Sequence, residues 1–243
     1  MAGTGYDRQL TIFSPEGRLY QVEYALRSVK CENLTTVGIC GGDAACIITQ
    51  KKLPDRLVDP TTVTHFHRIS KHVGCCQAGI YADGKLIAQR SQYNSSKFEL
   101  DYGYEMPVSL VAKKTADFAQ MLTQHAYMRP FGVSSMFIGW DEETDAPQLW
   151  RSDPAGSVAA FRGCAAGEKE QEAFNNLEKR KVAKDMKTDD VICMAIDCLQ
   201  TVTSSEFKVG DVEISVVSKE HTEFHILNAK DVEKYLLMAS AKD

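Results

Sequence analysis

Predicted strands and predicted helices occur in groups along this chain, and this grouping constrains the fold more than any other feature. The pattern of apolar and β-branched residues predicts strands, two helices, more strands, two helices, short strands and a last helix. Single strands and single helices do not alternate strictly, as they do in a doubly wound parallel sheet. We therefore predict an α+β fold with four layers, in which two sheets stack face to face and helices cover both outer surfaces.

The first half of the chain carries clear local signals. Gly41-Gly42-Asp43 predicts a hairpin between two short strands, Asp83 is predicted to cap a long helix, and Pro107 to open the next one. That second helix has the inward residues Val111, Thr115, Phe118 and Leu122. The predicted strands cover residues 35–39, 44–49, 63–69 and 73–80, and the long helix covers residues 83–102.

The second half returns to strands and ends in a helix. The alternation of Val212, Ile214 and Val216 with polar residues predicts a half-buried strand, and Asn228 is predicted to open the last helix. That helix has the inward residues Val232, Tyr235, Leu236 and Ala239. The other predicted elements are strands over residues 133–140, 147–151, 157–166 and 223–227, and helices over 168–183 and from Thr188.

The amino-terminal segment combines a turn with an amphipathic helix. Ser14-Pro15-Glu16-Gly17 places proline and glycine where a β-turn prefers them. Leu19, Val22, Leu26 and Val29 follow at helical spacing, so one face of this helix is predicted to point inward.

Length and composition indicate one globular domain over residues 1–243, with residues 1–18 as tail and turn and 19–30 as the first helix. The net charge of −5 argues against nucleic acid as the main partner. No apolar run is long enough for a membrane span, and the amino terminus has no secretory pattern. We expect a protein of the cytoplasm and nucleus, whose eight cysteines are reduced.

Few motifs for catalysis or cofactor binding occur, and we predict no cofactor or metal. HExxH, GxSxG and phosphate-loop motifs are absent from the sequence. His65 and His67 share one strand face, but without further ligands they are predicted to be partly exposed strand residues. Cys75 and Cys76 are predicted to be buried thiols rather than nucleophiles.

Thr35 and Thr36 open the first predicted strand, which is typical of N-terminal-nucleophile hydrolases. That chemistry requires the free α-amino group of the threonine as the base. Here 34 residues precede Thr35, so its nitrogen lies in a peptide bond unless the chain is cut. An ordinary strand threonine is the favoured interpretation, and self-processing to a threonine hydrolase at Thr35 or Thr36 is the alternative.

The segment from Tyr6 to Ser28 resembles the alpha-type signature of the 20S proteasome subunit family. The residues that carry the resemblance are Tyr6, Thr11, Phe13-Ser14-Pro15, Gly17-Arg18, Gln21-Val22-Glu23-Tyr24-Ala25 and Ser28. Further segments agree in order along the chain, among them Asp101-Tyr102-Gly103-Tyr104, Arg129-Pro130-Phe131-Gly132 and Asp153-Pro154-Ala155-Gly156. Details such as Thr64-His65 and Met128-Arg129-Pro130 are most similar to the iota-type alpha subunits.

The resemblance implies the α-β-β-α sandwich of N-terminal-nucleophile hydrolases, with an extra amino-terminal helix that lies across the cleft. It also implies a non-catalytic member of the heptameric outer ring. Implied partners are other alpha subunits, catalytic beta subunits, activator particles and unfolded polypeptide substrates. The implied process is ubiquitin-dependent and ubiquitin-independent protein degradation, with the alpha ring gating substrate entry.

The resemblance further implies roles for single residues. Tyr6, Asp7, Pro15 and Tyr24 match a cluster that holds the gate open, and Thr35 or Thr36 matches a degenerate nucleophile position. The aspartate and lysine of catalytic beta subunits have no equivalent in the matching stretches 49–52 and 65–68. Many members carry a lysine in a pocket for activator tails, and His65 stands there instead. Free histidine is mostly neutral at pH 7, so this departure puts tail docking at this position in question.

Two further hypotheses therefore remain beside the ring subunit. One is the self-processed threonine hydrolase. The other is an isolated adaptor or binding module with the same fold.

Overall fold

The computed structural model describes residues 5, 8–53, 55 and 57–240. Tyr6 and Asp7, two of the predicted gate residues, therefore lie outside the described residues. The remaining predicted site residues are all described.

Ten strands form two antiparallel sheets within the described residues. In chain order they are β1 Thr35–Cys40, β2 Ala44–Gln50, β3 Phe66–Arg68, β4 Val73–Gly79, β5 Val133–Asp141, β6 Ala146–Ser152, β7 Val158–Ala160, β8 Gly163–Gly167, β9 Val212–Ser218 and β10 His225–Ile226. The first sheet has the order β10-β9-β2-β1-β8, and the second has the order β3-β4-β5-β6-β7. The second sheet therefore has β3 at one edge and β7 at the other.

Six α-helices accompany these sheets in the described part of the chain. They are α1 Tyr20–Ser28, α2 Tyr81–Tyr102, α3 Val108–Gln124, α4 Glu170–Arg180, α5 Thr188–Thr203 and α6 Ala229–Ser240. One buried cluster joins α4, α5 and α6 to the first sheet, and another joins α2 and α3 to the second sheet. The predicted α+β sandwich with four layers and an extra amino-terminal helix is confirmed.

The interior between the two sheets is a third apolar cluster. Ala45 and Ile47 of β2 lie in this cluster with Met136 and Ile138 of β5, while their neighbours in β2 face the helices. Both faces of the central strands are therefore covered. For this reason the prediction of a half-buried strand at 212–216 is wrong: Ser215 is fully buried and Glu213 largely so.

One predicted strand is two strands that belong to different sheets. Residues 157–166 were expected to be continuous, but β7 pairs with β6 and β8 pairs with β1. Between them, Phe161 N–H donates to Leu149 O and Cys40 N–H donates to Arg162 O. The chain crosses from one sheet to the other at this point. A local apolar pattern carries no information on which sheet a residue joins.

Helix starts agree with the predictions in part. The side chain of Asn228 accepts the N–H groups of Lys230 and Asp231, which confirms that it opens α6. Asp83 does not cap α2, because Ile80 is the capping residue and Asp83 lies inside the helix. Its buried carboxylate instead accepts hydrogen bonds from Arg129 and from Gly132 N–H.

The inward face of α1 also differs from the prediction. Ala25 and Val29 are buried, whereas Leu26 is 40% exposed. The reason is a close approach to the second sheet, since a Cβ on Gly132 would lie 2.1 Å from Ser28 Oγ. The helix therefore sits on Ala25, Ser28 and Val29, and Val29 closes one end of the inter-sheet cluster.

Candidate functional site

Thr35 and Thr36 lie at the start of β1, each only 1% exposed. Thr35 is opposite Gly167 of β8, and Thr36 is opposite Thr49 of β2. Thr35 and Thr36, which were predicted to match a degenerate nucleophile position, are thus placed between β8 and β2 at the start of β1. Both threonines lie within the chain, with described residues before and after them.

The backbone nitrogen of Thr35 is an amide with a hydrogen-bond partner. It donates to Gln50 Oε1 at 3.0 Å, and the hydroxyl of Thr35 accepts from Lys169 N–H at 3.3 Å. An amide nitrogen has no basic lone pair, and the side chain of Gln50 is neutral. Neither group can take a proton from the hydroxyl as the α-amine of an N-terminal nucleophile does.

The second threonine is held by a buried hydroxyl pair. Thr36 Oγ1 and Thr49 Oγ1 are 2.8 Å apart, and Thr49 Oγ1 is also 3.5 Å from Gln50 O. Both threonines are buried, so each hydroxyl satisfies the other. This geometry is that of a structural contact between neighbouring strands.

Glu213 connects the threonine end of β1 with the segment that leads into β3. Its carboxylate accepts from Lys51 Nζ at 2.9 Å, from Thr64 Oγ1 at 3.1 Å and from His65 N–H at 3.4 Å. The ammonium of Lys51 is therefore engaged away from Thr35. This network was missed by the sequence reasoning, which placed Glu213 on a solvent face.

A pocket of about 540 Å³ opens beside the start of β1. His65 lies on its wall but is only 4% exposed, and its ring meets Tyr81 edge to face with centroids 5.7 Å apart. The prediction of a partly exposed His65 is therefore wrong, because Tyr81 and the pocket wall cover it. The pocket is lined by Glu32, Leu34, Lys52, Leu53, Thr62, Val63, His65 and Tyr81.

The charged groups of this pocket are Lys52 and Glu32. Lys52 Nζ donates to Asn33 O at 2.5 Å and is exposed, and Glu32 Oε1 accepts the N–H of Tyr81 at 2.8 Å. His67 lies two residues beyond His65, and burial lowers its pKa from the ordinary value. Lys52 is thus the exposed cation that the pocket offers. The sequence-based prediction placed the pocket cation at residue 65, which is a histidine.

The turn before α1 forms as predicted. Gly17 N–H donates to Ser14 O at 2.8 Å, and Ser14 Oγ accepts Arg18 N–H at 3.2 Å. Pro15 is exposed at the second position of this turn. Tyr24 is 41% exposed, and within the described residues its hydroxyl makes no hydrogen bond. Pro15 and Tyr24 thus remain accessible, while Tyr6 and Asp7 lie outside the described residues.

The other chemistry considered from the sequence finds no support here. Cys75 and Cys76 are fully buried, which confirms the prediction, and burial raises the pKa of Cys75 to about 12. A thiol with so high a pKa is not a nucleophile at neutral pH.

No group of three or more potential metal ligands occurs in the part of the chain that the structure describes. Across the same residues, no helix combines the length and apolar character that crossing a membrane requires.

Two family matches cover most of the chain. Residues 32–217 match the family described as "Proteasome subunit", and residues 6–27 match the amino-terminal signature of the A-type proteasome subunits. The first match contains β1 to β8 and all of β9 except Ser218, and the second contains the turn and most of α1.

Full-length relatives agree with these matches. The proteasome alpha type-6 subunit of Caenorhabditis elegans is 40% identical over 100% of this chain and 98% of its own length. The probable proteasome alpha type-1 subunit of Schizosaccharomyces pombe is 39% identical over 98% of each chain. The proteasome alpha subunit of Methanosarcina acetivorans is 32% identical over 96% of this chain and 92% of its own. The chain belongs to the proteasome subunit family, and its amino-terminal signature is that of the alpha-type members.

Proposed function

We propose that this chain is a non-catalytic subunit of the alpha ring of the 20S proteasome core. The observation that carries the proposal is the alpha-type signature over residues 6–27, and the burial of Thr35, whose N–H donates to Gln50 Oε1, agrees with it. The ammonium of Lys51, which follows Gln50 in sequence, is bound to Glu213 rather than directed at Thr35. A threonine without a free amine or an adjacent base lacks the groups that the hydrolase chemistry needs.

The position of α1 supports the same function. Its last residues pack on Gly79 and Gly132, where the backbone approaches so closely that a Cβ on Gly79 would lie 3.1 Å from Val29 Cα. Val29 also belongs to the inter-sheet cluster. Since α1 closes this end of the sandwich, the segment before Thr35 acts as part of the fold.

We propose that the amino-terminal segment contributes to a gate for unfolded polypeptide substrates. The Ser14–Gly17 turn precedes α1, and Tyr24 of α1 is 41% exposed. Tyr24 can offer its hydroxyl to the carboxylate of Asp7, and Pro15 can hold the tail upright. These contacts are inferred from the alpha-type signature, since Tyr6 and Asp7 lie outside the described residues.

We propose that the pocket beside His65 contributes to the docking of an activator tail. Its apolar wall includes Leu34, Leu53 and Val63, and the exposed ammonium of Lys52 can meet a carboxylate. The buried imidazole of His65 would then form part of the pocket wall, and Lys52 would be the charge partner of the carboxylate. A neighbouring subunit would complete the groove.

The proposal extends to location and neighbours. We expect the chain in the cytoplasm and nucleus, in a hetero-oligomeric ring that faces the beta subunits, in protein degradation both dependent on and independent of ubiquitin. The iota-type position in the ring remains a prediction, supported by Thr64-His65 and Met128-Arg129-Pro130.

The mass of the chain within the native particle tests whether it is processed. The particle should be purified from cells that express the full chain, and the intact mass of this subunit measured. We expect Thr35 to retain everything that precedes it, apart from ordinary removal of the initiator methionine. Loss of the first 34 or 35 residues would contradict the proposal and favour a self-processed hydrolase.

Two further measurements separate the remaining hypotheses. A threonine-directed covalent inhibitor should label other subunits of the particle and leave this chain unlabelled, and label on Thr35 or Thr36 would support the hydrolase. Size exclusion of native lysate should place the chain in a very large particle. A species of 27.0 kDa, the mass of the chain alone, would favour an isolated adaptor.

A further inference from the structure

A cavity of about 300 Å³ opens at the end of the second sheet opposite to α1. β5 begins at Val133, next to Gly132 on which α1 packs, and ends at Asp141 beside this cavity. The loop between α2 and α3 and the turn between β5 and β6 both contribute to its wall. The cavity is therefore separate from the amino-terminal segment and from the pocket beside His65.

The cavity has an apolar and aromatic lining. Val73 and Met106, both buried, contribute apolar side chains, and Tyr104 and Trp140 contribute rings. Tyr104 is 56% exposed, but its ring meets Phe98 edge to face with centroids 5.1 Å apart. An exposed ring that is held in this way offers a preformed face on which a planar group can stack.

The charged groups of the cavity are nearly all acidic. Four carboxylates line it, those of Glu105, Asp141, Glu142 and Glu143, and neither a lysine nor an arginine does. Glu105 is already engaged, because its Oε1 accepts His72 N–H at 2.9 Å and its Oε2 lies 2.5 Å from His72 Nδ1. Glu142 and Glu143 are exposed, and within the described residues they make no hydrogen bond or ion pair. The cavity thus attracts a cation and has two carboxylates free to bind it.

The turn that carries these two glutamates is held by side-chain hydrogen bonds. Asp141 Oδ2 accepts from Thr144 Oγ1 and from Gln148 Nε2, each at 2.7 Å. At the other end of the turn, Asp145 Oδ1 accepts from Trp140 Nε1 at 3.3 Å. Because the turn is already ordered, a ligand that binds to it loses little affinity to the ordering of the protein.

An arginine side chain has the properties that this cavity selects. Its guanidinium is planar and always charged, stacks on aromatic faces and donates in pairs to carboxylates. Its aliphatic stem can lie along the apolar side chains of Val73 and Met106. A lysine would bring the charge but no planar group to stack on Tyr104. A phosphate or carboxylate ligand would be repelled by the acidic lining.

We propose that this cavity binds an arginine side chain from an exposed segment of a partner protein, with the guanidinium between the ring of Tyr104 and the carboxylates of Glu142 and Glu143. The site would be a recognition surface in addition to the proposed gate and the pocket beside His65. The inference does not depend on assembly into a ring, so the full-length chain alone is sufficient to test it.

Peptide titration tests the ligand chemistry. An amidated Gly-Ala-Arg-Ala-Gly peptide with a fluorescent label is titrated with the full-length chain, and its anisotropy is measured. Two companion peptides replace the arginine with citrulline, which has nearly the same shape without the charge, or with lysine. We expect the lysine peptide to bind roughly two- to fivefold more weakly than the arginine peptide, and the citrulline peptide to show no measurable binding. Equal binding of the arginine and citrulline peptides would overturn the proposal, and equal binding of the arginine and lysine peptides would overturn the assignment to arginine.

A pair of double variants tests the place of binding. E142Q/E143Q should weaken binding of the arginine peptide roughly fivefold, since it removes two exposed carboxylates from the cavity. E178Q/E206Q is the matched control, because it removes two exposed carboxylates elsewhere, and it should bind as the unaltered chain does. All four glutamates are exposed, so both variants should keep the unfolding midpoint of the unaltered chain. Equal loss of affinity in both variants would show attraction by total charge alone and would overturn the site.

The aromatic wall is tested at Tyr104. Y104L should weaken binding of the arginine peptide roughly two- to fivefold, whereas Y104F keeps the ring and should bind almost as the unaltered chain does. Unchanged affinity in a folded Y104L would overturn the stacking of the guanidinium on this ring. If Y104L does not fold, the two glutamine variants still decide whether the cavity is the binding site. None of these results bears on the proposed ring function, which the intact mass and the size of the native particle test.

Discussion

The Thr35 end of β1 and the pocket beside His65 adjoin each other but differ in how their polar groups are satisfied. At Thr35 and Thr36, each hydroxyl and the Thr35 amide have partners within the chain, and both residues are buried. In the pocket, the ammonium of Lys52 has one carbonyl partner and remains exposed, beside about 540 Å³ of open space. Glu213 joins the two regions through Lys51 and the His65 N–H.

This difference distinguishes groups that stabilise the fold from groups that are free to bind a partner. A group whose donors and acceptors are all satisfied inside the fold has nothing left to offer a substrate, and changing it alters stability. A group that is exposed at the wall of a cavity can exchange water for a partner. The two threonines make structural contacts within the fold, and the adjoining cavity is where we propose that a partner binds.

The largest expected effect is at Gly132, where α1 closes the threonine end. In G132V the new side chain would meet Ser28 Oγ and Ile80 Cδ1, within 2.1 Å and 2.8 Å of the Cβ position. We expect the free energy of unfolding to fall by about 2–3 kcal/mol, the upper part of the range for overpacking. Urea unfolding of the purified chain measures it. G210V is the matched control, since a Cβ at Gly210 meets nothing within 4 Å, and equal loss in both variants would contradict the close packing of α1.

The next effect tests whether the threonine pair is structural. T36V keeps the shape of the side chain but leaves Thr49 without its 2.8 Å partner, so we expect a loss of about 1–2 kcal/mol in the free energy of unfolding. The double variant T36V/T49V removes both hydroxyls and should recover part of that loss. A double-mutant cycle isolates this coupling. Strictly additive losses would show that the hydroxyls do not pair.

Much of the fold could be predicted because its signals are local. The β-branched run at Thr35, the glycines at residues 41 and 42, and the Asn228 cap act within a few residues, and the structure confirms all three elements. The strand predicted over 157–166 is wrong because a change of sheet depends on partners far away in sequence. The cap predicted at Asp83 is wrong because its partners, Arg129 and Gly132, are more than forty residues away.

The sequence predicted which residues form the candidate site, but it did not predict the contacts that these residues make. That other residues precede Thr35 follows from the sequence alone, but the Gln50 and Lys169 contacts require the fold. Glu213 alternates with apolar residues and therefore resembles a solvent-facing position. The second sheet covers that face, so the carboxylate becomes the link between Lys51 and Thr64. Exposure of Lys52 and burial of His65 likewise depend on the fold, since Tyr81 covers the imidazole.

A smaller effect compares the two basic groups of the pocket. In the assembled particle, K52Q should weaken binding of an activator-tail peptide with a free carboxylate roughly two- to fivefold, the value of an exposed ion pair of up to about 1 kcal/mol. H65Q should change it less, because the imidazole is buried behind Tyr81.

The dependence on salt and a control substitution at another exposed lysine test that comparison further. The difference between K52Q and the unaltered particle should shrink as salt is raised, since exposed charges are screened, and it should vanish for an amidated peptide. K71Q is the control, because Lys71 is exposed and pairs with Glu223 away from the pocket. A larger loss in H65Q than in K52Q would assign the charge partner to His65 and contradict the role proposed for Lys52.

The smallest expected effect is that of a substitution at Tyr24, a residue of the proposed gate. Y24F removes one hydroxyl contact, worth about 0.5–1.5 kcal/mol, and somewhat more if its partner is the carboxylate of Asp7. Because several subunits would contribute tails to the gate that we propose, we expect only a modest fall in activator-stimulated peptide turnover, with assembly unchanged. Y93F is the control, since Tyr93 is exposed on α2, away from the turn. If stimulated turnover is the same in Y24F, Y93F and the unaltered particle, Tyr24 has no role in the gate. The contrast between the buried threonines and the open pocket would not be affected by that result.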